Sequence, residues 1–132
     1  MSNSIKKISR NKSHELIMQC LYDITIKGKF EKYIFKKIYK TEKIDDFSQK
    51  IVLFILENKE NIIKKLEKKL INWKWSRIST LSQVILIMSY AHYNIEKIDK
   101  AIIINIAVKL SKNFLDNDEY KFVNAVLDKI LV

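Results

Sequence analysis

Apolar residues recur every three or four positions along most of the chain, which is the spacing of one face of an α-helix. In the first such segment, residues 12–26, the apolar face consists of Ile17, Cys20, Leu21 and Ile24. Gly28 follows directly, in the position where glycine commonly ends a helix because it adopts positive φ without strain. A second, short helix is predicted at about residues 31–39.

A third helix is predicted to begin at Asp46, because Asp46 and Gln49 have the spacing of a capping box. Its apolar face consists of Phe47, Ile51, Phe54 and Ile55. The polar run at residues 57–61 interrupts this face and is interpreted as a junction or kink. The apolar stripe resumes after it at Ile62, Leu66 and Leu70.

Residues 71–79 break the helical pattern and contain both tryptophans, Trp73 and Trp75. We expect this segment to be an ordered connector between two helical subdomains. Three amphipathic helices are predicted after it, at residues 81–93, 100–114 and 119–131. Their predicted N-terminal caps are Thr80 with Gln83, Asp99, and Asp116 with Glu119. Their wide apolar faces predict a bundle, with the earlier helices packed on it as a second layer.

Composition narrows the class of protein. A length of 132 residues fits one domain, and a hydrophobic content of 48% is enough for a core. One glycine and no proline argue against tight hairpins and glycine-rich phosphate loops, since these need positive φ or a missing Cβ. No segment approaches the length of a membrane span, and the polar N-terminus lacks the apolar stretch of a signal peptide. We therefore expect a cytoplasmic, all-α protein that does not enter a membrane.

Residues suited to catalysis or metal binding are few. One cysteine, Cys20, and two histidines, His14 and His92, argue against a metal site built from these residue types. Cys20 and His92 are interpreted as structural, and the acids at residues 116–119 as a helix N-terminus that complements the helix dipole. We expect no enzymatic activity, no cofactor and no metal.

The net charge of +10 predicts a polyanionic partner. An AT-rich coding sequence also gives a chain rich in Lys, Ile and Asn. The charge alone therefore leaves open whether the excess of lysine serves a polyanionic partner or reflects nucleotide composition. The N-terminal segment is more specific, because its first 14 residues carry bases and no acid. These bases are Lys6, Lys7, Arg10 and Lys12. A solvated terminus without a partner remains the alternative.

A second basic position lies near the C-terminus. Lys121 stands between Tyr120 and Phe122, which combines a cation with the stacking surfaces that single-stranded RNA prefers. The alternative is that Phe122 belongs to the core and that Tyr120 is merely amphipathic.

Several strings in the C-terminal half resemble the NusB family. They are NWK at residues 72–74 with Arg77-Ile78, VIL at 84–86, INIAVKLSKNF at 104–114 and KFVNAVLD at 121–128. Near the start, Glu15 and QCLY at 19–22 resemble the first helix of that family. The resemblance is continuous over about residues 72–130 and thinner, but in register, before that.

This resemblance implies an all-α bundle of about seven helices in two subdomains. The expected division is a basic arm at residues 1–11, an N-terminal subdomain at 12–70 and a C-terminal subdomain at 80–132. The family is non-enzymatic. Its members bind the boxA element of ribosomal RNA transcripts together with ribosomal protein NusE, and they act indirectly on RNA polymerase within an antitermination complex.

The positions that match the family's RNA surface are the basic start of the first helix and the start of the last. They are Arg10, Lys12 and His14, with Lys121 and Phe122. The positions that match the NusE surface include Tyr22 and Ser82.

Three of the departures from the family pattern bear on the binding surfaces. The family usually has Arg in place of His14, often an acid in place of Ser82, and Gly in place of Ala125. These departures leave open an adaptor that docks NusE without reading an RNA sequence. A third possibility, an RNA-modifying enzyme, lacks support because the chain has no Gly-rich cofactor-binding domain.

Overall fold

The computed structural model describes residues 10–27, 45–116 and 118–132. Within these ranges it contains five α-helices, one short 3-10 helix and no strand, which confirms the all-α prediction. The helices are α1 (Arg10–Lys27), α2 (Asp46–Lys69), α3 (Thr80–Glu96), α4 (Lys100–Phe114) and α5 (Glu119–Ile130). The count is therefore five α-helices rather than about seven in the described ranges, and the helix predicted at residues 31–39 lies outside them.

A junction at residues 57–61 is contradicted, because α2 continues through this segment as one helix. Ile55 and Ile62 lie seven residues apart and are both buried, so the apolar face keeps its register across the polar run. The run is also rich in Glu and Lys, which are good helix formers. The Asn58 side chain donates to the Phe54 carbonyl at 2.8 Å without interrupting the helix.

Three of the four predicted caps are displaced by one or two residues. The observed N-caps are Asp45, Ser79, Asp99 and Asp118. Ser79 accepts a hydrogen bond from the Ser82 amide at 3.3 Å, which is the typical N-cap interaction. Asp45 instead accepts hydrogen bonds from the hydroxyls of Ser13 and Ser48, and so ties the start of α1 to the start of α2.

α3 is the central helix, because it packs against each of the other four helices. Its residues Ile85, Leu86 and Ala91 are completely buried in a core to which all five helices contribute. Among the described helices, none combines the length and apolar character needed to cross a bilayer. The division into two subdomains stays a prediction.

The connector between α2 and α3 turns sharply after α2 ends. Asn72 has a left-handed backbone with φ of 72°, which asparagine tolerates better than most residues. The 3-10 helix Trp75–Arg77 follows, and the Gln83 side chain donates to the Trp75 carbonyl at 2.7 Å. This hydrogen bond fixes the connector to α3 and leaves Trp73 beside α5.

Candidate nucleic-acid interface

The start of α5 is fixed to the start of α3 by one carboxylate. Oε2 of Glu119 accepts hydrogen bonds from the Ser82 hydroxyl at 2.9 Å and from the Ser79 hydroxyl at 3.1 Å. Ser82 is 1% exposed, whereas Ser79 lies at the surface. The contact sets the orientation of the first turn of α5, which carries the predicted RNA-binding residues.

Lys121 projects from that first turn toward solvent. Its side chain is 65% exposed, and its Nζ lies 3.7 Å from Oδ2 of Asp118, whose side chain is 75% exposed. An ion pair this exposed contributes little to stability because water screens it. The Lys121 ammonium is therefore accessible to a phosphate.

Phe122 lies between the core and an exposed tryptophan of the connector. Its side chain is half-buried against the core, and its ring packs edge-on against Trp73 with a centroid distance of 4.6 Å. Trp73 is 55% exposed, so the pair presents indole surface to solvent, and Phe122 directly follows Lys121 along α5. Sequence reasoning placed Trp73 in the connector but missed it as a site residue.

A second cation lies close to the same turn. The Lys112 ammonium lies 4.8 Å from the centroid of the Tyr120 ring, within the range of a cation–π interaction. Cations and aromatic rings from α4, α5 and the connector thus lie near the start of α5.

The basic N-terminal segment is described only in part. Lys6 and Lys7 lie outside the described residues, as does the side chain of Arg10, the first residue of α1. Lys12 is exposed on the first turn of α1, as the sequence predicts.

His14 is buried, contrary to the surface position expected for an RNA contact. It is 3% exposed, and its Nε2 lies 3.3 Å from Nδ1 of His92. His92 Nε2 lies 2.7 Å from a carboxylate oxygen of Glu96, and the Phe47 ring packs edge-on against both imidazoles. The physical reason is that His14 continues the apolar stripe of Ile17, Leu21 and Ile24.

The two candidate partner-binding residues differ in accessibility. Tyr22 is 36% exposed on α1, and Ile26, one turn later on the same face, is 60% exposed. Ser82 is buried and donates to Glu119, so its hydroxyl faces into the protein rather than toward a partner.

The structure offers no evident reactive centre in its described part. Burial raises the pKa of the Cys20 thiol to about 12, with a smaller contribution from the charge of Asp23, so the thiol stays protonated at neutral pH. Within the same residues, no group of three His, Cys, Asp or Glu side chains could hold a metal ion.

Comparison with known proteins identifies the family. The model of the NusB family matches residues 11–132. The chain is similar to transcription antitermination protein NusB of Bacillus cereus (strain ATCC 10987), with 32% identity over 126 residues, 93% of this chain and 97% of that protein. The corresponding protein of Bacillus thuringiensis (strain Al Hakam) is 31% identical over the same shares.

A solved structure of T. maritima NusB matches the fold with a TM-score of 0.83 and 22% identity. The superposition covers 96% of this chain and 92% of that one. The predicted resemblance is confirmed over nearly the whole chain, and the protein belongs to the NusB family of transcription antitermination proteins.

Proposed function

We propose that this protein binds a boxA-type single-stranded RNA together with ribosomal protein NusE, and that the pair promotes antitermination during ribosomal RNA transcription. The observation that carries this proposal is the exposed Lys121, whose neighbour along α5, Phe122, packs against the exposed Trp73. Lysine neutralises phosphates, and aromatic rings stack on bases that are not paired.

The first turn of α1 supplies further positive charge. Lys12 is exposed there, and the N-terminal residues before it carry three more bases, Lys6, Lys7 and Arg10. Electrostatic attraction of this kind favours any RNA, whereas contacts to the bases supply the preference for boxA. Because His14 is buried, we leave it out of the proposed contact surface.

For the protein partner, we propose the exposed face of α1 that contains Tyr22 and Ile26. Tyrosine is enriched at protein–protein interfaces, and Ile26 adds exposed apolar surface one turn from Tyr22. Ser82 would support this interface only indirectly, by fixing the start of α3.

The test is a binding titration in which fluorescence anisotropy reports the binding of labelled RNA to the protein. It compares boxA-type RNA with a scrambled RNA of equal composition, each with and without NusE. We expect boxA-type RNA to bind more tightly when NusE is present, because two partial surfaces combine. The Lys121→Ala and Phe122→Ala variants should bind RNA more weakly with unchanged helical circular dichroism.

Two results would contradict the proposal. Equal affinity for boxA-type and scrambled RNA, with NusE still bound, would favour the adaptor that does not read a sequence. If the pair showed no gain in RNA affinity over either protein alone, the joint surface would be refuted.

A further inference from the structure

A groove runs between the connector and α5, on the side of Phe122 where Trp73 packs. The exposed Trp73 and the half-buried Phe122 line it together with Leu70 and Val126. Two lysines, Lys69 from the end of α2 and Lys129 from the last turn of α5, also line it. The groove is continuous with the proposed RNA surface, because Phe122 belongs to both.

The groove has the charge that an RNA strand requires. Both of its ionisable lining residues are lysines, and no acid lines it. Lys69 and Lys129 are exposed, so their ammonium groups reach phosphates while their apolar stems cover the groove. An apolar protein segment would gain nothing from these two charges, whereas a polyanion with flat apolar bases would use both.

We propose that this groove is a base-binding subsite for the same single-stranded RNA. One unpaired base stacks on Trp73, and Lys69 and Lys129 neutralise the phosphates that flank it. This inference rests on the proposed RNA-binding function and extends the contact surface from the first turn of α5 to its last.

Ala125 allows the subsite to be tested without removing a charge or a ring. It is an exposed residue of α5 that lines the groove. Ala125→Leu places a larger side chain there, and leucine is almost as good a helix former as alanine. We expect this variant to keep its helical content and to bind boxA-type RNA more weakly.

The main experiment uses the intrinsic fluorescence of Trp73. In a Trp75→Phe variant, Trp73 is the sole tryptophan of the chain, and Gln83 can still donate to the backbone carbonyl of residue 75. With NusE present, binding of end-labelled boxA-type RNA should raise the anisotropy of the label. The fluorescence of Trp73 should be quenched over the same range of concentration. A tryptophan in NusE would be replaced by phenylalanine first.

Two substitutions then measure the contributions of the ring and the charge. Trp73→Ala should weaken binding by about tenfold, in the range of one base–aromatic stack, and Trp73→Tyr should restore most of the affinity. Lys129→Ala should lower the slope of the log–log salt plot by about 0.7, the value for one phosphate on a single strand. The matched control is Lys64→Ala, an exposed lysine of α2 that does not line the groove.

The outcomes separate the subsite from the proposed function. If RNA binds fully to Trp73→Ala and Ala125→Leu without quenching in the sole-tryptophan variant, the subsite is refuted and the RNA-binding function stands. If neither the wild type alone nor its complex with NusE binds RNA, the function fails and the subsite fails with it.

Discussion

Glu119 is expected to stabilise the fold more than any ordinary surface acid, because its carboxylate joins two helices. Replacement by alanine removes the acceptor of the Ser82 and Ser79 hydroxyls and leaves the Ser82 hydroxyl, at 1% exposure, without its acceptor. A hydrogen bond to a charged group contributes about 1.5–3 kcal/mol, and the exposed Ser79 bond contributes less. The acid also complements the dipole at the start of α5, by about 0.5 kcal/mol.

We therefore expect Glu119→Ala to lower the free energy of unfolding by about 2–3 kcal/mol. The loss would appear in urea denaturation followed by far-ultraviolet circular dichroism, as a lower midpoint at an unchanged m-value. Glu119→Gln keeps an acceptor oxygen and should lose about 1 kcal/mol. The matched control, Glu60→Ala, removes an exposed acid of α2 and should stay within about 0.5 kcal/mol of the wild type.

A double-mutant cycle isolates the hydrogen bond between Ser82 and Glu119. The double variant Ser82→Ala/Glu119→Ala should lose about 1 kcal/mol less than the sum of the single variants, since each single change already breaks the same bond. Strict additivity would refute the reasoning. A Glu119→Ala loss no larger than that of Glu60→Ala would refute it as well.

Three further predictions concern single positions. Lys97 ends α3 with a left-handed φ of 51°, so Lys97→Gly should raise the free energy of unfolding by about 0.5 kcal/mol in the same urea assay; a decrease would contradict this. Burial raises the pKa of the Cys20 thiol from about 9 in the unfolded chain to about 12 in the folded protein. Above pH ~9 the unfolded chain therefore loses the thiol proton first, and the free energy of unfolding falls by about 1.4 kcal/mol per pH unit. Between pH ~8 and ~10, the free energy of unfolding of Cys20→Ala should therefore fall less than that of the wild type. If the two proteins lost stability equally over this pH range, the raised pKa of Cys20 would be refuted. Asp118→Asn removes a negative charge 3.7 Å from Lys121 and should tighten RNA binding a few-fold in anisotropy titrations, whereas weaker binding would show that Asp118 is needed as a cap.

The core was predictable from the sequence because the helical period decides which residues face inward. Ile17, Ile24, Ile51 and Ile55 were assigned to apolar faces, and all four are buried. The caps were less predictable, since several neighbouring polar residues can end a helix and packing selects one of them. Asp45 caps α2 in place of Asp46 because its carboxylate also reaches Ser13 on α1.

The sequence predicted a residue of the candidate site only where the pattern of a single helix decides its exposure. Lys121 is exposed, as the pattern of α5 indicates. Trp73 could not be assigned from the sequence, because its position beside Phe122 depends on the turn at Asn72 and on how α5 packs. A signal for the burial of Ser82 was present, since Ser82 precedes Ile85 by three residues on the same helical face.

The burial of His14 follows from the chemistry of imidazole. The imidazole of His14 can both donate and accept hydrogen bonds, and unlike a guanidinium it can be neutral. A neutral imidazole is buried at far lower cost than a guanidinium, which keeps its charge. His14 accordingly packs against Phe47 and reaches His92 at 3.3 Å, which joins α1 to α2 and α3. In the proposed RNA surface, the positive charge at the start of α1 therefore comes from Lys12 and the bases before it. A substitution at His14 should change the free energy of unfolding in urea denaturation far more than the RNA affinity in anisotropy titrations.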